Sequence, residues 1–501
     1  MVLENLKPQV VWDIFEQVFL ATPHESKHEE LIRKKIKEWL QTNVIPSHPE
    51  IIINEDNIGN ILIRVPATPG YEEVPSLLLQ GHMDMVCVAN EPFDFQKDPI
   101  TPEIETNGDW VTAKGTSLGA DNGIGVSMAL ALLVDPEFPP HGPLEILITV
   151  DEETGLTGAF ELDVDKLQIQ SRLLINVDSE ELGMITVGSA GGGDSLMEKA
   201  LYRFSDYSNY STFYQLEVSG LLGGHSGGDI HLPRANANKL IARIMSKLTI
   251  AKIPIVISDW KGGTKHNAIP RKSIISFGFP AENKAEVDSL IERERAAILS
   301  YYHKGENPFE PDLKIEITPT KPASYFSLEE SRLIISTGNI IPSRAIVPSP
   351  TISGLTETSN NFAIVVSSDT GILFHLSSRS SVQAELEWLR DQLEQLAYTA
   401  DWKYNREDAY PGWNPDLESP FLAYVRRVYG EEINREVEVG AVHGGLETGL
   451  IGDKIPGIEM VSIGPDIQNP HSPDERVNIS SVEKMYSILK RLIRDLNRYH
   501  A

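Results

Sequence analysis

Apolar residues in the first part of the chain follow two alternating patterns. Helical spacing covers residues 10–20 and 29–40, and the segment 123–134 is apolar on several sides, as in a buried helix. Short apolar runs that suit buried strands lie at 51–53, 61–65, 77–79, 144–150 and 173–177. This alternation predicts an α/β domain in which helices flank a mixed sheet.

The pattern changes in the middle of the chain. A glycine-rich run at 188–193 predicts a linker or a crossing between domains. Half-exposed strands are predicted at 213–218, 273–279 and 313–317, with an amphipathic helix at 234–248. A second set follows, with helices at 327–336 and 384–396 and strands at 362–367 and 371–377. We therefore expect an inserted α+β domain made of two similar subdomains.

The last hundred residues return to the first pattern. A core strand is predicted at 457–463. The string Ser480-Ser481-Val482-Glu483 has the form of a capping box, which predicts the start of a final helix that ends near Leu496.

Composition limits the classes of partner. The 501 residues suffice for two or three domains, and 44 Lys and Arg against 72 Asp and Glu give a formal charge of −28. This charge opposes phosphate backbones and anionic headgroups, so we expect neither nucleic acid nor a membrane as partner. Cys87 is the single cysteine, and no run of 18 apolar residues or basic leader pattern occurs. We expect a cytoplasmic protein.

Five short strings contain the residue types that a two-metal hydrolase needs. Four of them end an apolar run or begin a helix, which is where open α/β sheets place their chemistry. The strings are Gly81-His82-Met83-Asp84, Gly119-Ala120-Asp121-Asn122-Gly123, Asp151-Glu152-Glu153, Asn176-Val177-Asp178-Ser179 and Asn469-Pro470-His471-Ser472.

Each of these residues alone has an ordinary alternative, such as a helix cap for Asp121 or a turn for Asp178. Together they favour a metal site in which Asp121 bridges two ions. His82 and Asp178 would complete the coordination of one ion. The remaining ligands, Glu153 and His471, would complete the coordination of the other. Each ion then has three protein ligands and an open position for water, as a catalytic zinc requires.

The position of His471 also predicts the domain organisation. The other candidate ligands precede residue 180, whereas His471 lies near the end of the chain. The catalytic domain must therefore be discontinuous. We expect its two segments at 1–187 and 402–501, with the inserted domain at 188–401.

Several longer strings resemble the zinc-dependent exopeptidase family that includes carboxypeptidase G, aminoacylase and bacterial dipeptidases. The resemblance extends over nearly the whole chain and is greatest to the aminoacyl-histidine dipeptidase branch. The most specific strings are Gln80-Gly81-His82-Met83-Asp84-Met85-Val86, Gly115-Thr116-Ser117-Leu118-Gly119-Ala120-Asp121-Asn122-Gly123, Asp151-Glu152-Glu153-Thr154-Gly155 and Gly223-Gly224-His225-Ser226-Gly227.

The resemblance assigns roles to residues of the first domain. It implies metal ligation by the five residues His82, Asp121, Glu153, Asp178 and His471. It makes Glu152 the general base and places Asp84 behind the ligand His82. It also implies a cis peptide bond between Asp121 and Asn122.

The resemblance makes the inserted domain a lid that carries substrate-binding groups. His225 would stabilise the oxyanion, and Arg379 would hold the substrate carboxylate, for which a guanidinium is well suited. Asn267 lies in a matching Asn-x-Ile-Pro string. The string His443 to Gly449 matches the dipeptidase branch except at Thr448, where a cysteine is common. In that string Glu447 would receive the free amino group of the substrate.

These assignments predict a metallopeptidase that hydrolyses dipeptides, either Xaa-His or a broader range. Two divalent ions per subunit are expected, with zinc first and cobalt or manganese as alternatives. An amidohydrolase of N-acyl amino acids is the alternative with the same chemistry, and a non-catalytic metal-binding protein is a further one that the intact Glu152 disfavours. The oligomeric state stays open, with a homodimer as one option.

Overall fold

The computed structural model describes residues 2–22, 24–106 and 108–499. The chain divides into two compact units. The first comprises Met1–Gly188, Trp413–Ala441 and Leu446–Ala501, and the second comprises Ser189–Gly412 and Val442–Gly445. Within the described ranges, no helix combines the length and the apolar character needed to cross a membrane.

The helices predicted from the sequence are present, together with others, including the long helix at Lys284–Tyr302, that the sequence analysis did not locate. All are listed here in chain order. They are α1 (Gln9–Ile14, continued by a π-helical segment, Phe15–Leu20), α2 (Glu30–Asn43), α3 (Ala120–Ala131), α4 (Thr157–Phe160), α5 (Val164–Leu167), α6 (Ala237–Ile250), α7 (Lys284–Tyr302), α8 (Leu328–Ile340), α9 (Gln383–Thr399), α10 (Pro420–Ile433), α11 (Glu447–Lys454) and α12 (Ile479–Asp495).

The strands of the first unit are β1 (Ile52–Glu55), β2 (Ile61–Val65), β3 (Leu77–His82), β4 (Pro102–Ile104), β5 (Trp110–Ala113), β6 (Leu144–Thr149), β7 (Leu173–Asn176), β8 (Met184–Ser189), β20 (Glu438–Val442), β21 (Glu459–Ser462), β22 (Ile467–Gln468) and β23 (Arg476–Asn478). Those of the second unit are β9 (Gly191–Ala200), β10 (Arg203–Phe204), β11 (Thr212–Ser219), β12 (Val256–Gly262), β13 (Ser273–Phe279), β14 (Lys314–Pro319), β15 (Tyr325–Phe326), β16 (Arg344–Pro348), β17 (Thr356–Ser367), β18 (Gly371–Ser380) and β19 (Lys403–Tyr410).

The first unit is built on a mixed sheet with the strand order β1-β2-β6-β3-β7-β21-β8-β20. The central strands β6, β3, β7 and β21 are parallel, whereas β1, β2 and β8 pair antiparallel. Every residue of β3, β6 and β7 is buried, which explains their continuous apolar sequences. The predicted mixed α/β fold is confirmed.

Helix α3 packs unusually close to the centre of this sheet. A Cβ atom on Gly81 would lie 2.1 Å from Asn122 Oδ1, and one on Gly125 would lie 2.3 Å from the carbonyl oxygen of Val177. Glycine at both positions therefore allows the helix to contact β3 and the end of β7. This close contact places the first turn of α3 at the carboxyl ends of the parallel strands.

The second unit contains one continuous sheet with the strand order β14-β11-β13-β12-β17-β18-β9-β19, and β16 pairs with β17. Its two halves join where β12 and β17 pair at two register positions, Lys261 with Val366 and Gly262 with Val365. The amphipathic helix α6 contributes Leu240, Ile241 and Ile244 to the apolar core on one side of this sheet. The expected similarity of two subdomains stays a prediction.

The structure corrects the second domain boundary. Residues 402–412 were expected in the catalytic domain, but β19 extends the sheet of the second unit by pairing with β9, with Tyr404 opposite Met197. The segment Val442–Gly445 also belongs to the second unit, since Ala190 N donates to the carbonyl oxygens of Val442 and Gly444.

The glycine run at 188–193 was predicted to be a linker or a crossing between domains, and the two units divide within it, between Gly188 and Ser189. Gly191 to Gly193 do not form a loop, because they belong to β9 and pair with β18. The predicted start of the last helix is corrected, because the helix begins at Ile479, two residues earlier than a cap at Ser480 would require. Its N-cap is Asn478, whose side-chain oxygen accepts a hydrogen bond from Ser481 N at 2.9 Å.

Candidate metal centre

The parallel strands of the first unit bring the candidate ligands to one edge of the sheet. His82 is the last residue of β3, Glu152 and Glu153 follow β6, and Asp178 follows β7. Because β3, β6 and β7 run parallel, their carboxyl ends meet at the same edge. Residues that are far apart in sequence therefore become neighbours.

Asp121 lies at the start of α3 and connects two groups of side chains. Its Oδ1 lies 3.2 Å from His82 Nε2, and its Oδ2 lies 3.2 Å from His471 Nε2. The peptide bond between Asp121 and Asn122 is cis, which confirms that prediction. Gly119, just before the helix, has φ +73°, a backbone conformation that glycine adopts without steric cost.

Each histidine has a carboxylate partner of its own besides Asp121. His82 Nε2 lies 3.2 Å from Asp178 Oδ1, and His471 Nε2 lies 2.9 Å from Glu153 Oε2. Two sets of three possible ligands therefore share Asp121, and within each set the ligand atoms lie within 4.8 Å of one another. The structure brings together all five residues that the sequence predicts as metal ligands.

Asp84 organises the groups behind this cluster. The Nδ1 of His82 hydrogen-bonds the backbone oxygen of Asp84 at 3.0 Å, which directs Nε2 toward Asp121 and Asp178. The carboxylate of Asp84 accepts from Glu152 N at 3.0 Å, from Glu153 N at 3.3 Å and from Ser26 Oγ at 2.8 Å. One buried carboxylate thus fixes the turn that carries both glutamates.

The site crowds more buried carboxylates together than its histidines can neutralise. Burial raises the pKa of Glu152 well above its usual value; His82 opposes this rise, and the nearby carboxylates of Asp178 and Glu153 add to it. Burial likewise raises the pKa of Glu180 to about 8, with Asp121 and Asp178 contributing. The arrangement therefore favours the binding of positive charge.

The negative charge of these carboxylates also shifts the pKa values of the two histidines. Hydrogen bonds to Asp121 and Glu153 raise the pKa of His471 to about 11. Burial lowers the pKa of His82, but Asp178 and Asp121 outweigh this effect, so that the pKa lies well above its usual value. The second proton of each imidazole thus lies between two carboxylates, at the position that a metal cation would take.

The donor set fits divalent metal ions. It consists of imidazole nitrogens and carboxylate oxygens, the ligands that zinc takes in catalytic sites. Glu153 Oε1 is buried and has no hydrogen-bond partner among the described residues. A buried carboxylate oxygen without a partner is costly unless a cation or water meets it.

Glu475 is a positioning residue that sequence reasoning missed. Its carboxylate accepts hydrogen bonds from the backbone N–H groups of four consecutive residues, Leu118, Gly119, Ala120 and Asp121, at 2.7, 2.9, 2.8 and 3.2 Å. It is buried and lies four positions after His471. Glu475 therefore fastens the segment that presents Asp121 to the loop that carries His471.

No local sequence signal identified Glu475. It stands in the polar string Ser472-Pro473-Asp474-Glu475-Arg476, where an acidic residue normally faces solvent. Its role depends on a contact between segments more than 350 residues apart, as the separation of 357 positions from Leu118 shows. Only the fold brings these segments together.

Glu447 lies in the first unit beneath the cluster. Its Oε2 accepts from Gln80 Nε2 at 2.5 Å and from Thr149 Oγ1 at 2.7 Å. Its Oε1 is buried without a hydrogen-bond partner in the described ranges. Burial raises the pKa of Glu447 to about 7, which His82 opposes.

The other four predicted catalytic or substrate-binding residues belong to the second unit. His225 is exposed, and its Nδ1 accepts a hydrogen bond from Gly228 N at 3.0 Å. An imidazole that accepts at Nδ1 carries its proton on Nε2 when neutral. His225 therefore presents an Nε2–H donor, the group that an oxyanion requires.

Asn267, Arg379 and His443 are grouped with His225. Ser226 N donates to the carbonyl oxygen of Asn267 at 2.8 Å, and Arg379 Nη1 donates to the hydroxyl of Tyr410 at 2.9 Å. Burial lowers the pKa of His443 to about 3, and the charges of Arg379 and His225 contribute. His443 is therefore neutral at physiological pH, and its Nε2 lies 2.7 Å from Ser359 Oγ.

The role of Glu475 can be tested by Glu475→Gln. An amide keeps one acceptor oxygen and places its own N–H groups against backbone donors, and each buried unpaired donor costs roughly 1–3 kcal/mol. We expect a lower thermal unfolding midpoint and less bound Zn²⁺ per chain, measured by calorimetry and by metal analysis after zinc loading. Asp474→Asn, at the exposed neighbouring position, is the control. Equal values in the two variants would contradict the role.

The family model described as Peptidase family M20/M25/M40 matches residues 78–495. The chain is 38% identical over 497 residues to the cytosol non-specific dipeptidase of Escherichia coli strain K12, covering 99% of each protein. The crystal structure of aminoacylhistidine dipeptidase from Vibrio alginolyticus has 35% identity and a TM-score of 0.86, with 98% of this chain and 97% of that chain covered.

A more distant structure shares the fold alone. Aminopeptidase PepT from Bacillus cereus has 16% identity and a TM-score of 0.55, with 98% of this chain and 99% of that chain covered. The resemblance inferred from the sequence strings is thus confirmed. On the family match and the two relatives above 30% identity, the chain belongs to peptidase family M20/M25/M40.

Proposed function

We propose that this protein is a dipeptidase that uses two divalent metal ions. The observation that carries the proposal is the position of Asp121, whose two carboxylate oxygens each face a different histidine at 3.2 Å. The relatives at 38% and 35% identity are both named dipeptidases, which supports the substrate class. The E. coli relative is named a cytosol enzyme, and we extend that compartment to this chain.

The ligands divide between the two ions in this proposal. His82 and Asp178 would hold one ion, Glu153 and His471 would hold the other, and Asp121 would contribute one carboxylate oxygen to each. Nitrogen and carboxylate donors with an open position suit zinc, and cobalt or manganese are the alternatives. Two such ions polarise the substrate carbonyl and acidify a water molecule.

Glu152 is the general base of the proposed reaction. Its backbone N–H is held by Asp84, and its carboxyl group is buried beside Asp178 and Glu153. It accepts a proton from the attacking water and returns it to the leaving amine.

The ends of the substrate require charged partners. Arg379 supplies a guanidinium for the substrate carboxylate, with Asn267 and the neutral His443 nearby in the second unit. Glu447 supplies a carboxylate for the free amino group, and its Oε1, which has no hydrogen-bond partner among the described residues, is available as acceptor. A requirement for both ends disfavours N-acyl amino acids, which lack the free amino group.

His225 supplies the Nε2–H donor to the oxyanion. It belongs to the second unit, whereas the metal ligands belong to the first. The proposal therefore requires the two units to approach around the substrate, either within one chain or between the chains of a homodimer.

A substrate panel tests the proposed function most broadly. Protein reconstituted with Zn²⁺, Co²⁺ or Mn²⁺ is assayed against carnosine, other Xaa-His dipeptides, mixed dipeptides, tripeptides and N-acetyl amino acids. We expect hydrolysis of dipeptides with a free amino group and little turnover of tripeptides. Preference for N-acetyl amino acids would replace the proposal with an aminoacylase-type amidohydrolase. Absence of turnover with every metal would favour the non-catalytic alternative.

Substitutions of the two adjacent glutamates should distinguish the general base from the metal ligand. Glu152→Gln cannot accept a proton, so we expect turnover to fall by at least about a hundredfold with metal content unchanged. Glu153→Gln should instead lower the amount of bound metal, because an amide is a weaker ligand than a carboxylate. Kinetics and metal analysis are run side by side, with the exposed Glu161→Gln as control. The opposite pattern would show that the two roles are exchanged.

The contribution of His225 can be measured by His225→Ala. Loss of one oxyanion donor lowers kcat by about a hundredfold or more. We expect that loss at saturating dipeptide, with metal content and the circular dichroism spectrum unchanged. His231→Ala, a nearby histidine with no assigned role, is the control. Normal turnover in His225→Ala would show that another group faces the oxyanion.

A further inference from the structure

A second group of histidine and carboxylate side chains, the residue types that ligate metal ions, lies in the second unit, on the face of the sheet opposite its apolar core. In the β9–β18 pair Asp194 lies opposite Ser377, and His375 is two residues before Ser377 on the same face. The alternate residues Phe374 and Leu376 belong to the apolar core. Asp194 and His375 therefore project from the polar face as diagonal neighbours.

A third side chain joins them from the loop between β12 and β13. His266 Nδ1 lies 2.8 Å from Asp194 Oδ2, and His375 Nε2 lies 2.7 Å from the same oxygen. The two imidazole rings are nearly parallel, with an interplanar angle of 17° and centroids 5.8 Å apart. Both histidines thus converge on one carboxylate oxygen.

The backbone around His266 is held to the sheet. Asn361 on β17 donates its side-chain amide to the carbonyl oxygens of His266 at 3.4 Å and of Ala268 at 2.8 Å. The side chain of His266 is 54% exposed, whereas Asp194 and His375 are each 18% exposed. The group therefore combines a fixed backbone with access from solvent.

We infer that Asp194, His266 and His375 form a mononuclear divalent metal site in the second unit, separate from the ligands around Asp121. Two imidazole nitrogens and one carboxylate oxygen, all within 4.8 Å of one another, make a three-ligand set of the type that binds zinc with one position left for water. The inference does not depend on the proposed peptidase function.

The spacing of the donor atoms fits this assignment after a small movement. Tetrahedral ligands with bonds of about 2.0–2.1 Å to zinc lie roughly 3.3 Å apart. The N–O distances of 2.7 and 2.8 Å must therefore open by about half an ångström. The exposed ring of His266 can make that movement without disturbing the core.

The ion would fasten a loop to the sheet. His266 precedes Asn267, one of the proposed substrate-binding residues, whereas Asp194 and His375 are on β9 and β18. A metal bound to all three residues links the loop to two adjacent strands. Its role is then structural, in setting the position of the loop that carries Asn267.

Metal counting tests this site. Wild-type protein and His266→Ala are loaded with Zn²⁺, passed through a desalting column and analysed for zinc per chain. We expect His266→Ala to contain one equivalent less than wild type. His303→Ala, which removes an exposed histidine from the same unit, is the matched control and should equal wild type.

Two further variants keep the test decisive. If circular dichroism shows that His266→Ala impairs folding, Asp194→Asn takes its place in the test. We expect Asp194→Asn also to contain one equivalent of zinc less than wild type. The double variant Glu153→Gln, His266→Ala should show the sum of the zinc losses of the two single variants, because the two sites are independent. Failure of one assignment is therefore distinguishable from failure of the other. Equal zinc content in wild type and folded His266→Ala would overturn the inference and leave the three residues as a hydrogen-bonded ion pair.

Discussion

Mutual repulsion among buried carboxylates is the constraint on which the first unit depends. Parallel strands β3, β6 and β7 end at one edge of the sheet and place several acidic side chains there. Asp121, Glu153 and Asp178 are buried or nearly so, with two histidines among them. Such a cluster is stable only when positive charge is bound between the carboxylates. Two cations bound as proposed above, with Asp121 as their common ligand, would satisfy this requirement.

The surrounding structure holds the carboxylates in place against that repulsion. Asp84 fixes the turn of Glu152 and Glu153 through their backbone N–H groups, and Glu475 fixes the backbone before Asp121. Both supporting residues are acidic and are stabilised by backbone donors. The cluster is therefore held by the peptide backbone, which leaves the side chains of the ligands available for metal.

Much of this arrangement could be predicted from sequence because its signals are local. Continuous apolar runs predicted β3, β6 and β7, and the ligands follow directly at the strand ends. The five predicted ligands come together as expected. In contrast, Glu475 has no local signal, since its four backbone partners lie in a distant segment. The Asp194 cluster was missed for the same reason.

The predicted domain boundary at residue 401 was wrong because the unit to which a strand belongs depends on the strand with which it pairs. The segment 403–410 resembles an ordinary polar strand in sequence, and only its register with β9 assigns it to the second unit. The predicted capping box failed for a related reason. Asn478 and Ser480 are both good N-cap residues, and the pairing of β23 with β5 selects Asn478.

Anomalous diffraction from crystals of the zinc-loaded protein, recorded on both sides of the zinc absorption edge, is the most direct measurement of the central claim. The account predicts two peaks about 3.5–4 Å apart on either side of Asp121. One peak should lie beside His82 and Asp178, and the other beside His471 and Glu153. A single peak in this cluster, or two peaks that Asp121 does not bridge, would contradict the account.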